Sequence, residues 1–209
     1  VTIKYSTTGE TKWVNRYNGT MHMTESPYCI TLDDAGNVYV GGSGPSVPGE
    51  SFDYLTLKIT PSGGFGWVRY YDRPIPGGGE HVTAIAAHGS AIYVTGYSIA
   101  PGFMDLLITV GYSASGDTLF ESFYSGTGLG GRKPNSIAVS PSGAIYVCGL
   151  EYSGSPMMGI NYLTIKYSPS GSISWAKHFN GTDSGYDEAR KVVVDGSGSV
   201  YITGFSEGI

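Results

Sequence analysis

A tyrosine with a glycine three residues later occurs four times, as Tyr39 with Gly42, Tyr93 with Gly96, Tyr146 with Gly149 and Tyr201 with Gly204. Successive copies are separated by 54, 53 and 55 residues. A second landmark keeps the same step: a turn glycine with a large aromatic four residues on, Gly9 with Trp13, Gly63 with Trp67, Gly116 with Phe120 and Gly171 with Trp175. Two landmarks held in register through four copies define a tandem repeat. A unit of this size cannot bury its apolar face alone, so neighbouring units must stack.

Each copy reads as four short strands. The first hairpin is CITLDDAGNVYVGG and its counterparts AIAAHGSAIYVTG, SIAVSPSGAIYVCG and VVVDGSGSVYITG. In the second hairpin of the third sister, Leu163, Ile165 and Tyr167 alternate with Thr164 and Lys166, the period of a half-buried strand. The first strand of each copy is more continuously apolar (Val192-Val193-Val194, Ile137-Ala138-Val139), as a strand covered on both faces must be, and this puts it innermost. The turns S-P-S-G, D-A-G-N and T-T-G suit tight hairpins with a glycine free to take φ > 0. No segment carries a sustained helical period.

The expected fold is therefore all-β: a β-propeller of four four-stranded antiparallel blades in one domain, 1–209, with copies near 1–53, 54–105, 106–161 and 162–209. Innermost strands fall at about 28–33, 82–87, 135–140 and 189–195. The chain thus opens on two outer strands (about 1–6 and 11–18) and ends on two inner ones (189–195 and 199–205). A ring of four closes if these halves complete one blade, which removes both sheet edges. The alternatives are half of an eight-bladed ring built by two chains, and a piece of a longer propeller or extracellular assembly.

ARKVVVDGSGSVYITGFS (189–206), with YLTIKYSPSGSISW (162–175) for the second hairpin, resembles the SBBP repeat, a β-propeller repeat of bacterial and archaeal extracellular proteins. The resemblance covers essentially the whole chain in four copies. It implies a propeller, export to the medium or cell surface, and a scaffold or binding role; it brings no catalytic residues. Kelch repeats share the glycine-containing second strand and the later tryptophan, but the double glycine occurs only at Gly41-Gly42. The G-H and W-D signatures of WD repeats are absent.

Composition narrows the partners. A net charge of −5 and a pI near 5.3 argue against capture of nucleic acid or an anionic membrane, which needs a concentrated basic surface. No apolar run is long enough to span a bilayer. Val1 stands inside a strand pattern, which reads as a processed or trimmed chain. Cys29 and Cys148 occupy different places in the repeat and read as small buried hydrophobes rather than a disulfide or reactive thiols.

Function should sit where the copies differ. Turns within hairpins are nearly constant, whereas the connections into each innermost strand (NGTMHMTES, DRPIPGGGEH, SGTGLGGRK, NGTDSGYDE) and those between second and third strands vary in every copy. A meander brings both long sets to one face, the pattern of a binding surface on a repeated scaffold. Just before the innermost strands stand Glu25, Glu80, Arg132 and Asp187, which a closed ring would gather at the mouth of its channel. Three acids there offer oxygen ligands to a cation such as Ca²⁺; Arg132 points instead to mutual neutralisation, and no cofactor is expected. Tyr28, Phe103, Met157 and Tyr186, with Met21, Met23, Phe52 and Met158, either stack on sugars, form a protein interface, or fold inward as loop anchors. Asn18-Gly19-Thr20 and Asn180-Gly181-Thr182 match the glycosylation sequon and are first of all turn signals. His22, His81, His88 and His178 lack metal-ligand spacing, and no catalytic motif is present. The reading is a non-catalytic extracellular binding or structural propeller taking a protein or glycan on the long-loop face. The alternative is a carbohydrate-active enzyme with its site at the channel mouth.

Overall fold

The computed structural model describes residues 1–19, 23–47, 51–73, 78–99, 105–126, 130–153, 159–182 and 185–207, and among them are sixteen strands and no helix. β1 (Thr2–Tyr5) and β2 (Thr11–Asn15) form a two-stranded sheet. Three four-stranded meanders follow. The first holds β3 (Ser26–Leu32), β4 (Val38–Gly44), β5 (Asp53–Ile59) and β6 (Phe65–Tyr71). The second holds β7 (Glu80–His88), β8 (Ala91–Ser98), β9 (Leu106–Ser113) and β10 (Thr118–Tyr124). The third holds β11 (Arg132–Val139), β12 (Ile145–Tyr152), β13 (Ile160–Tyr167) and β14 (Ile173–Phe179). β15 (Asp187–Val194) and β16 (Val200–Ser206) make the last pair. Strand neighbours are antiparallel, so the all-β class agrees with the sequence pattern, and the strands expected to be innermost (β3, β7, β11, β15) each lie at an edge of their sheet, β3 with Ile30 and Leu32 exposed.

One side-chain device builds the hairpin turns. In every short-turn hairpin but β7–β8, a Ser, Thr or Asp at the end of the leading strand accepts the backbone N–H four residues on, as Ser6 Oγ does from Glu10 at 3.0 Å and Asp33 Oδ1 from Asn37 at 2.8 Å. A glycine with φ between 79° and 93° then closes each of these turns, the type I plus bulge geometry of short hairpins.

The glycine after each repeated tyrosine has another cause. The innermost strands carry a bulge at one shared place, between Pro27/Cys29, Val82/Ala84, Pro134/Ser136 and Ala189/Lys191. The bulged backbone lies over the partner glycine. A Cβ on Gly96 would stand 1.9 Å from the His81 carbonyl oxygen, and one on Gly204 1.9 Å from that of Glu188. Only glycine fits beneath such a bulge.

Sheets stack in chain order. β7 packs on β3, β4 and β5, β11 on β7, β8 and β9, and β15 on β11, β12 and β13. The core lies in these layers, with Tyr39, Val94 and Tyr112 in one and Ile145, Leu163 and Tyr167 in the next. Aromatics of each unit reach the next turn: Trp67 Nε1 donates to the Ala114 carbonyl at 3.1 Å, as Trp13 Nε1 does to that of Pro61 at 3.0 Å.

The expected closure of four units within one chain is not made. β1–β2 packs on the first meander through Trp13 and Tyr17, β15–β16 packs on the third, and the two pairs remain separate sheets. A ring of four demands a quarter turn from sheet to sheet. Among the described residues β1 and β16 are not paired with each other.

Candidate functional site

The meander sends all short turns to one end of the sheets and all long connections to the other. At the long-loop end, Glu80, Arg132 and Asp187 open their innermost strands and are buried, while Glu25 is half-buried just before β3. Each serves its own unit. Glu25 Oε1 accepts the Gly19 N–H at 2.8 Å, and Asp187 Oδ2 accepts the Gly181 N–H at 2.8 Å and Oδ1 the Ser206 hydroxyl. In both sequon loops the N-G amide is thus held by the acid that opens the next strand. Ser98 Oγ donates to Glu80 Oε1 at 2.7 Å. These bonds tie Glu25, Glu80 and Asp187 each into its own surroundings and do not bring them together in one site.

Glu80 also meets Asp53 and Asp72: one carboxylate oxygen from each lies within 4.8 Å of the others. Asp53 Oδ2 accepts the Ser46 N–H at 2.9 Å, and burial raises its pKa. Burial pushes Glu80 up to about 7, with Asp53 and Asp72 adding to the rise and the Ser98 bond opposing it. Glu80 thus carries a proton near neutrality, and the trio, once ionised, presents hard oxygens to a cation. The fold holds the Glu80 proton where an unfolded glutamate has lost it. This contribution to stability is complete below the ordinary value of 4.5, declines as pH rises toward about 7, and is absent above. Glu80→Gln should therefore match the wild type near pH 4 and exceed its stability at pH 8, by on the order of a few kcal/mol. Urea unfolding at both pH values checks this; equal stability at pH 8 would contradict it.

In the third meander the same position is inverted. Arg132 Nε donates to Glu151 Oε1 at 2.9 Å with both side chains almost wholly buried, and Glu151 Oε2 meets His178 Nε2. Glu151 stands where Ser98 stands in the second meander and Ser206 in the last pair, so one unit carries base-on-acid where its sisters carry acid-on-hydroxyl.

Of the remaining candidates, Tyr28 is the exposed bulge residue of β3, and Tyr186 is half-buried with its hydroxyl donating to Glu188 Oε2 at 3.0 Å. Phe103 and Met157 lie outside the described residues, as do Met21 and Met158. Burial pushes both thiols up to about 12, which keeps Cys29 and Cys148 protonated and unreactive.

A group that the sequence reading did not single out lies one residue further along. Lys133 sits 4.9 Å over the Tyr97 ring and 3.8 Å from Asp105 Oδ2, His81 stacks on Tyr97 at 5.3 Å, and Phe52 approaches His81 at 6.4 Å. Burial and then the Lys133 charge lower the His81 pKa, so its ring is neutral above mildly acidic pH. Ser26, His81, Lys133 and Glu188 share one column of the repeat, directly after Glu25, Glu80, Arg132 and Asp187. That column, polar and different in every copy, was the available signal. No family model matches the chain, and no curated protein is similar to it.

Proposed function

We propose that the chain is an exported β-propeller module of the SBBP-repeat kind that binds a protein or glycan at its long-loop end without catalysing a reaction. The observation that carries this reading is the group formed by His81, Tyr97 and Lys133 with Asp105. It joins half-buried ring faces to hydrogen-bonding charges contributed by two successive sheets. Rings of this kind stack on sugars or anchor a protein side chain, and the flanking charges fix orientation. The constant hairpin turns at the opposite end serve the scaffold. The acidic net charge argues against nucleic acid as the ligand.

A glycan array and a pull-down against surface proteins should each be run with the wild type, Tyr97→Ala and Lys133→Ala. The ligand retained by the wild type should bind each variant about tenfold more weakly, with circular dichroism unchanged. Equal binding by all three, or no ligand in either assay, defeats the reading. The acid raised furthest toward neutrality, Glu80, is buried and bonded to Ser98, which places it out of reach of a substrate and favours binding over glycosidase chemistry. Oligosaccharides should survive prolonged incubation with the protein, as read by mass spectrometry.

A further inference from the structure

Between the second and third meanders, polar side chains come together without hydrogen bonds to one another. Lys133 Nζ stands 3.8 Å from Asp105 Oδ2, beyond a direct hydrogen bond, and lies over the Tyr97 ring. Among the described residues, the Lys133 ammonium, the Asp105 carboxylate, the Tyr97 hydroxyl and the His81 ring nitrogens have no hydrogen-bond partner. The group is held in place all the same. The Arg132 N–H donates to the Asp105 carbonyl at 3.2 Å, which ties Asp105 to the strand that carries Lys133. A Cβ on Gly131 would stand 2.9 Å from Asp105 Oδ2, so backbone closes one side of the carboxylate. The Lys133 side chain is 39% exposed and that of Asp105 15%, which leaves both within reach of a ligand.

The next interface handles the same positions differently. Glu188 takes the place of Lys133 there, with Leu150 and Ile160 in the places of Tyr97 and Asp105. Both Glu188 oxygens are used within the chain: Oε1 accepts from Asn135 Nδ2 at 2.9 Å, and Oε2 from the Tyr186 hydroxyl at 3.0 Å and from Arg190 at 3.3 Å. Half-buried polar groups are ordinarily satisfied in this way. The capacity left open at Lys133 and Asp105 belongs to one interface, enclosed by internal strands on both sides.

Resting on the proposal that this group is the binding site, we infer that its ligand is an uncharged sugar ring, one hydroxyl bridging Lys133 and Asp105 and an adjacent one reaching His81 or Tyr97. Charge decides between ligand classes. Lys133 and Asp105 cancel each other, and His81 is neutral above mildly acidic pH. A carboxylate or an ammonium brought here would leave water without a counter-charge to meet it, which costs more than a neutral group whose hydrogen bonds are made. A hydroxyl fits because it donates and accepts at once: it gives its proton to Asp105 Oδ2 and accepts one from the Lys133 ammonium. A serine or threonine of a partner protein could make that bridge, but no side chain carries two adjacent hydroxyls. A rigid ring that carries both makes the two contacts for one loss of translational freedom, and Phe52, His81 and Tyr97 offer apolar surface to its C–H groups.

Saturation-transfer NMR tests this with the methyl pyranosides of glucose, galactose and mannose, each beside its uronate and its amino-sugar counterpart. At least one neutral pyranoside should bind the wild type about tenfold more tightly than its charged counterparts. Asp105→Asn and Lys133→Met should each weaken that binding about tenfold with circular dichroism unchanged. The wild-type comparison stands even where a substitution impairs folding. Preference for a uronate or an amino sugar overturns the inference and leaves the binding group in place. Capture of a surface protein through Tyr97 and Lys133 by a chain that binds no pyranoside does the same. Pyranoside binding that survives both substitutions lies elsewhere and overturns it too. A chain that binds neither sugar nor protein defeats the binding reading itself, and the inference with it.

Discussion

Arg132→Ala should lower the unfolding free energy by about 3–5 kcal/mol. The guanidinium is almost wholly buried against Glu151, itself buried. Removing it leaves a carboxylate out of water with, among the described residues, His178 and the Tyr124 hydroxyl beside it, and an uncompensated buried charge costs far more than an exposed pair contributes. Gly126 sharpens the expectation. A Cβ there would stand 1.9 Å from Glu151 Oε1 and 2.4 Å from Arg132 Nε, so the loop backbone is laid directly on the ion pair. Losing the pair should loosen the backbone at Gly126 as well. Urea unfolding of the wild type, Arg132→Ala and the double variant Arg132→Met/Glu151→Leu separates the causes. If desolvation of an unpaired charge dominates, the double variant recovers most of the loss, because apolar replacements of similar volume need no partner. If the double variant is as unstable as Arg132→Ala, loop support matters more than charge.

That pair marks the limit of what the sequence discloses. Repeat number, strand order, innermost strands and turn glycines are local or periodic features, and each appears as a column in the self-alignment. The glycines after Tyr39, Tyr93, Tyr146 and Tyr201 were legible as landmarks, but their cause, a bulge pressing on them from the neighbouring strand, depends on a pairing that only three dimensions display. Arg132 was legible as the odd member of an acidic column. Its partner Glu151 is not adjacent in sequence and takes the place of a serine, so the compensation is visible only once β11 and β12 are paired. Closure is a different kind of question: the pairing of β1 with β16 is not seen, and whether units complete a circle depends on the geometry of each sheet interface, which no repeat length encodes. The His81, Tyr97 and Lys133 group was overlooked because two different units supply it, and each residue alone is unremarkable on a strand.

The same interfaces predict a graded response along one column of glycines. Gly171→Ala should cost about 2–5 kcal/mol. Its φ of 84° costs a side-chain-bearing residue about 1–2 kcal/mol. The new Cβ would also stand 2.2 Å from Phe120 Cδ2, an overpacking worth about 1–3 kcal/mol more. Gly9→Ala meets the same φ of 84° but nothing within 4 Å, so only the backbone share, about 1–2 kcal/mol, should appear. Gly116→Ala, 2.9 Å from Trp67 Cδ2, should fall between them. Chemical unfolding under one set of conditions gives all three values against one reference. The decisive measurement is a double-mutant cycle with Phe120→Leu. In the shortened background Gly171→Ala should lose its steric share and fall to the cost of Gly9→Ala. Additive losses would mean that the aromatic lid and the turn beneath it are not in contact, and the stacking of one unit on the next would need a different explanation.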